Sequence, residues 1–306
     1  MVHAKIKAMT SFIDTITPAD KAILQQAVSR WRPNLKNYED SWGYIIQATR
    51  NMGGRWYNPA TQTLVFFCRK PHDDNTLVIP NFFAEPEHLK SIIEELQSNF
   101  NVSQTVLKNI NPQDIEKFIP YGFRQYYDNE QWDDFARFDD QTYPQLVIDL
   151  KALAEKKGQG YRHLRRYLRK TTFASIRNYK DKDRDDVLSI FRKKGGMYYE
   201  SHKMYPDADI DKFVIIDKRT ESILGFTAAL DLSSTATTLV ASLFLPHIRF
   251  ESSLGTYSTL LTKYKQGFMF ANIGGFETKG TYRFYRGSFR PVEEVQKTHL
   301  VYEWKK

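Results

Sequence analysis

The spacing of apolar and polar residues changes several times along the chain, and each change predicts an element. Thr17-Pro18-Ala19-Asp20 sets a capping residue and a proline where a helix begins, and predicts one through about Ser29. Apolar runs then predict strands over 55–57, 63–69 and 76–80, divided by the turn signals Asn58-Pro59 and His72-Asp73-Asp74-Asn75, so the three read as a meander. Pro86 opens an amphipathic helix with Leu89, Ile92, Ile93 and Leu96 at helical spacing. A strand over 106–109 follows, and Asn111-Pro112-Gln113-Asp114 caps one more helix before a last hairpin.

The second half repeats this rhythm. It predicts a strand over 146–150, a helix over 153–171 interrupted near Gly158-Gln159-Gly160, a strand over 175–179, and a helix over 183–194 ending at Gly195-Gly196. Strands over 213–217, 223–230 and 237–245 form a second meander. A helix over 255–266, a strand over 269–273, a helix over 279–286 and a closing hairpin over 292–304 complete the pattern. Equivalent residues keep a nearly constant offset: Phe67 and Phe226 are 159 positions apart, Leu77 and Leu239 162, Asn109 and Asn272 163, Phe123 and Phe289 166. Upstream, an aromatic strand closes on Trp132, as the later copy closes on Trp304. That drift implies an internal duplication of one module of roughly 150 residues. The expected division is residues 1–144 and 145–306.

Composition refines this. With 41% hydrophobic and 14% aromatic residues, 306 residues suffice for two cores. A single cysteine, Cys68, excludes an internal disulfide and any Cys-x-x-Cys metal site, so no metal is expected and a reducing, cytoplasmic compartment is. The first ten residues lack the apolar core of a signal peptide, and the longest apolar runs, 64–68 and 239–245, are strand-sized, which predicts no transmembrane segment. A net charge of +8 and a pI ≈ 9.2 favour a polyanionic partner: RNA, nucleotide phosphates or an anionic lipid surface contacted peripherally. The charge is uneven. Residues 128–140 are acidic, whereas Arg162, Arg165, Arg166, Arg169 and Lys170 crowd one helix, interleaved with tyrosines that suit stacking on bases. The same run also suits a solvated face.

The element order resembles the GNAT acyltransferase fold in two copies: an α/β (α+β) architecture of mixed, mostly antiparallel sheets flanked by helices. More specific are Asp149-Leu150-x-x-Leu153 with the basic helix Tyr161-Arg162-His163-Leu164-Arg165-Arg166, then Asn272-Ile273-Gly274-Gly275-x-Glu277, then Phe284-x-x-x-Ser288-Phe289-x-Pro291. Together these are similar to the C-terminal domain of phosphatidylglycerol lysyltransferases, tandem-GNAT relatives of the Fem aminoacyltransferases. The resemblance spans nearly the whole chain, with its motifs in the second half. It implies transfer of an aminoacyl group from aminoacyl-tRNA to an amine or hydroxyl acceptor, which could be a metabolite, a peptide or a lipid, with no bound cofactor. Such an enzyme must bind an activated ester, orient the nucleophile and stabilise an oxyanion, without a covalent nucleophile. The absence of a Gly-x-Ser-x-Gly elbow agrees with that and argues against a hydrolase.

The Fem-type motif Phe-Lys-x-Gly-Phe carries a lysine that steadies developing negative charge. Tyr285 or Arg286 stands in its place here, and Arg286 is the stronger electrostatic candidate. Arg283 and Arg286, three apart, also fit a solvated helix face. Glu277 suits a general base or an anchor for an aminoacyl ammonium, and equally a first-turn acid favoured by the helix dipole. Asn272, Gly274 and Gly275 mark a turn where backbone amides can meet substrate. Tyr199 and His202 lie in a segment that could line an acceptor pocket, although a lone histidine there also suits the core. Acyl-CoA is the alternative donor. Its pyrophosphate needs a glycine-rich helix start, and Arg249-Phe250-Glu251-Ser252-Ser253-Leu254 matches poorly, leaving Ser252, Ser253 and Gly255 as the cradle. A further alternative is a catalytically silent RNA- or phosphate-binding module.

Overall fold

Both meanders form, and each is extended into a seven-stranded sheet. The computed structural model of the chain describes residues 13–32, 37–49, 53–70, 73–126, 144–195, 199, 202–203, 205–245, 251–274 and 279–303. The elements run β1 (Ile13–Thr15), α1 (Asp20–Trp31), α2 (Trp42–Thr49), β2 (Gly54–Asn58), β3 (Thr63–Lys70), β4 (Asp73–Phe83), α3 (Pro86–Phe100), β5 (Gln104–Ile110), α4 (Ile115–Phe118) and β6 (Arg124–Tyr126). After them come β7 (Gln145–Asp149), α5 (Leu150–Glu155), α6 (Arg162–Lys170), β8 (Ala174–Asn178), α7 (Arg184–Lys194), β9 (Asp211–Asp217), β10 (Ile223–Asp231) and β11 (Ala236–Phe244). The last are α8 (Glu251–Lys265), β12 (Phe270–Asn272), α9 (Lys279–Phe289), β13 (Glu293–Val295) and β14 (Thr298–Glu303).

The strand orders are β1-β2-β3-β4-β5-β14-β6 and β13-β7-β12-β11-β10-β9-β8. Each sheet is an antiparallel meander joined through one parallel pair, β4 with β5 and β11 with β12, to two further antiparallel strands. This is the tandem, mixed but mostly antiparallel architecture that the resemblance implies. The predicted closing hairpin does not form. β13 pairs with β7, whereas β14 inserts between β5 and β6 of the first sheet, and β7 takes the corresponding place in the second. Helix 153–171 divides, as Gly158-Gln159-Gly160 implies, into α5 and α6, with Asp149 capping α5 through the Ala152 amide at 2.9 Å.

Two compact units result. The first spans Met1–Pro33, Ala48–Gln131 and Thr298–Lys306, the second Asn34–Gln47 and Trp132–Lys297. A cut at 144/145 departs from them at 34–47, at 132–144 and at 298–306, the last because β14 pairs with β5 and β6. The first unit's core sets Trp56, Phe67 and Leu77 against Leu89, Ile93 and Leu96 of α3, and includes Leu300 and Tyr302 from β14. In the second unit, Leu239 packs with α5, α6, α8 and α9, while its neighbour Val240 packs with α7, so consecutive residues of β11 serve opposite faces.

Leu300→Ala removes a fully buried side chain of the first unit's core and is expected to cost about 2–5 kcal/mol. Chemical denaturation followed by intrinsic tryptophan fluorescence measures this. His299, also on β14 and fully buried, has its imidazole held well below the ordinary histidine range, by burial first and by the Lys108 ammonium second, with a backbone hydrogen bond at Thr298 working against both. Unfolding restores a pKa of about 6.5, so the unfolded chain binds the extra proton. The stability tied to His299 is full above that pH and falls as pH drops below it. Thermal melts between pH 7.5 and 5 should show the loss, flattened in His299→Gln.

Candidate active site

The second sheet opens where β11 carries an extra residue. Ala228 on β10 lies opposite Ala241, but the next residue, Ala229, lies opposite Leu239, which leaves Val240 as a bulge. Such an insertion bends and twists its strand. Parallel pairing with β12 covers only Ala236–Thr238 against Phe270–Asn272, so β11 runs on to Phe244 without β12 beside it.

Hydroxyl groups link the walls of this parting. Ser242 Oγ of β11 meets Thr256 Oγ1 of α8 at 3.1 Å, and Thr256 Oγ1 meets the Tyr285 hydroxyl of α9 at 3.3 Å. One turn before Thr256, Ser253 is fully buried and its Oγ has no hydrogen-bond partner among the described residues. Gly255 serves packing: a Cβ there would come within 2.5 Å of the Phe244 ring, which also presses on Gly225. The glycine of the expected pyrophosphate cradle is thus committed to the core. Ser253 remains as a donor in the first turn of α8, and the side chain of Ser252 is outside the described residues.

Asn272 ends β12 and anchors the turn. It is buried, its Oδ1 accepts from the Gly274 amide at 2.8 Å, its Nδ2 donates to Gln145 Oε1 at 2.7 Å, and its carbonyl accepts from Thr238 Oγ1 at 2.9 Å. Gly274 has φ 71°, where a side chain would be strained. Asn272, Gly274 and Tyr285 therefore belong to elements that converge on the parting. Gly275 and Glu277 lie outside the described residues.

The other candidates sit elsewhere. Arg286, with a side chain 58% exposed, pairs with Glu294 of β13 at 2.6 Å, and Tyr282 donates to the same carboxylate; both hydrogen bonds hold that carboxyl below its usual range. Arg283 is exposed on the same helix. Of the two residues competing for the Fem-type lysine position, Tyr285 rather than Arg286 turns inward, because a helix separates neighbours by about 100°. His202 is buried between Phe191 and Tyr205, with ring centroids at 5.9 and 5.5 Å, and Tyr199 lies under Arg192 at 4.7 Å while its hydroxyl accepts from Arg192 Nη2 at 3.2 Å. Both pack on the α7 side of the sheet. On α6, Arg165 donates to the carbonyls of Lys156 and Gly158 and so closes the end of α5. Arg162, Arg166, Arg169 and Lys170 are exposed, and Tyr167 ties α6 to α9 through Phe284 at 5.4 Å.

The first unit repeats the bulge, then closes it. Phe66 lies opposite Asn81 and Cys68 opposite Val78, which places an extra residue at Ile79-Pro80 where pairing with β5 ends. There Asn109 Nδ2 donates to the Pro80 carbonyl at 3.2 Å, Arg32 donates to the Phe82 carbonyl at 3.0 Å, and the Arg32 guanidinium lies 4.8 Å from the Phe83 ring centre. In the second unit the equivalent asparagine turns to Gln145 instead. Gln145, Thr238 and Ser242, in apolar strands, and Thr256, in α8, are isolated amides and hydroxyls that carry no motif in the sequence.

Among the described residues, no helix is long and apolar enough to cross a membrane, and no three His, Cys, Asp or Glu side chains gather as a metal ion requires. No protein-family model and no curated protein sequence matches the chain. Solved structures do. A conserved protein of unknown function from Bacteroides thetaiotaomicron is similar with a TM-score of 0.70 at 13% identity, over 96% of this chain and 99% of that one. L-PGS from Bacillus licheniformis is similar with 0.65 at 12%, over 95% and 93%, and FemX with 0.61 at 10%, over 95% and 97%. A tandem GNAT protein from the clavulanic acid biosynthesis pathway is similar with 0.51 at 8%, over 79% and 78%, and the chain has this tandem GNAT fold.

Gly255→Ala should force the Phe244 ring to shift and destabilise the second unit by about 1–3 kcal/mol, measured as a lower denaturation midpoint.

Proposed function

We propose that the second unit is an acyltransferase that moves an aminoacyl group from aminoacyl-tRNA to an amine or hydroxyl acceptor at the parting of β11 and β12. The observation that carries this reading is the contrast between the two bulges: one is bridged by Asn109 and Arg32, and the other is lined by the hydroxyls of Ser242, Thr256 and Tyr285. The edge of β11 beyond Thr238 offers backbone donors for an ester carbonyl as it becomes an oxyanion. The acceptor attacks that carbonyl, the new C–N or C–O bond forms and the bond to the tRNA oxygen breaks. In this reading Glu277 takes the acceptor's proton, while the Tyr285 hydroxyl, backed by Thr256, protonates the departing oxygen. Arg286, held by Glu294, belongs to the outer face of α9.

The resemblance to phosphatidylglycerol lysyltransferases supports the donor, and so does α6. Arg162, Arg166 and Arg169 recur at helical spacing on its exposed side beside Lys170, and α6 packs on the helix that bears Tyr285. Acyl-CoA is a second reading, favoured by the buried Ser253 hydroxyl in the first turn of α8.

The test is transfer of a radiolabelled amino acid from charged tRNA pools, abolished by RNase. Tyr285→Phe should lower kcat on the order of 100-fold with little change in KM. Replacing Arg162, Arg166 and Arg169 by Gln should flatten the salt dependence of tRNA binding, the log–log slope dropping by roughly 2–3. Consumption of acyl-CoA alone would establish the second reading, and RNA binding without turnover would reduce the chain to a silent RNA-binding module.

A further inference from the structure

A line of buried polar groups runs from the Gly274 turn to a residue from the first fifty of the chain. Gly274 N donates to Asn272 Oδ1 at 2.8 Å, Asn272 Nδ2 donates to Gln145 Oε1 at 2.7 Å, and Gln145 Nε2 donates to Glu39 Oε1. Glu39 also faces the Lys297 ammonium at 3.8 Å. Asn272, Gln145, Glu39 and Lys297 are each at most 2% exposed. Glu39 precedes α2 in the segment 34–47 that belongs to the second unit, and Lys297 is that unit's last residue.

The chemistry of this line gives it a direction. A carboxylate only accepts, whereas each side-chain amide can turn either end toward a neighbour. With Glu39 at its head, Gln145 must present its NH2 to Glu39 and so its oxygen to Asn272. Asn272 must then present its NH2 to Gln145 and its oxygen to the Gly274 amide. Reversed, Asn272 would aim an NH2 at a backbone N–H, and in a buried site that mismatch is expensive. Lys297 in turn balances the charge that Glu39 brings into the interior.

We infer that Glu39 is a positioning residue: its carboxylate sets the polarity of the Gln145–Asn272 chain and thereby holds the Gly274 turn at the mouth of the β11–β12 parting in one conformation. The functional part of this inference rests on the acyl-transfer reading, since that turn leads into the segment bearing Glu277. The structural part does not.

The experiment uses full-length protein carrying Glu39→Gln, Gln145→Glu and the swap of both, with Glu39→Ala as the extreme case. Amide hydrogen exchange at Gly274 is measured against β10 amides as an internal control, beside kcat and KM for transfer. The Glu39→Gln change leaves both polarities open, and the Gln145→Glu change sets two carboxylates face to face. Each single change should speed Gly274 exchange by roughly tenfold, about 1.4 kcal/mol of lost protection, and lower kcat more than it raises KM. In the swap, the amide now at position 39 donates to the carboxylate now at position 145, which still accepts from Asn272, so protection and kcat should return toward the starting protein. Unchanged Gly274 exchange in both single variants, or a swap that loses the sum of the two, would overturn the inference. If Glu39→Ala fails to fold, the near-isosteric variants still decide it. If no transfer is detected from any donor, the exchange result stands by itself and the failure belongs to the acyl-transfer reading.

Discussion

One inserted residue in a β-strand governs the second unit. A parallel pair left in register would zip along its whole length and bury its backbone donors in the ladder. Val240, with no opposite number on β10, bends β11 just past Thr238, and the pair comes apart there. Beside that separation lie an uncovered edge of β11, a first turn of α8 holding a buried hydroxyl, and a tyrosine from α9 hydrogen-bonded to Thr256. Buried hydroxyls are costly unless paired. At this strand parting Ser242, Thr256 and Tyr285 pair their hydroxyls with one another.

The first unit shows what the same device becomes when it is closed. Its bulge at Ile79-Pro80 parts β4 from β5 at the equivalent point, yet an asparagine amide bridges the break, and an arginine lies across the Phe83 ring and donates to the strand carbonyl. Asn109 and Asn272 are sequence equivalents with different partners. The difference arises from the strand lying next to each. β14 presents His299, whose Nδ1 accepts from the Asn109 backbone, while β7 presents Gln145, which takes the Asn272 side chain. The two units share a geometry, and a change of neighbour gives the equivalent asparagines different partners.

Those neighbours come from far away in the chain. β14, the last strand, completes the first sheet, and 34–47 joins the second unit. Neither unit is therefore a continuous stretch of sequence, and each depends on a segment that the other half of the chain supplies. Separating the halves at their apparent boundary would deprive the first unit of Leu300 and Tyr302, and the second of Glu39.

The sequence by itself determined the local elements and their doubling. Both meanders, the proline-started helix at Pro86, the break at Gly158-Gln159-Gly160 and the glycine stop at Gly195 were legible because they depend on short-range periodicity and on backbone preferences. The motif around Asn272 and Gly274 was legible for the same reason. Tertiary structure decided which sheet each late strand enters, that Arg286 faces outward to Glu294 while Tyr285 faces in, that His202 fills an aromatic core, and that Gly255 makes room for Phe244. It also assembled Glu39, Gln145 and Asn272, drawn from three remote segments, into one line. The physical reason is common to all of these. A strand's partner, a helix's inward face and a buried amide's orientation are set by the free energy of groups distant in sequence, and no local pattern records it.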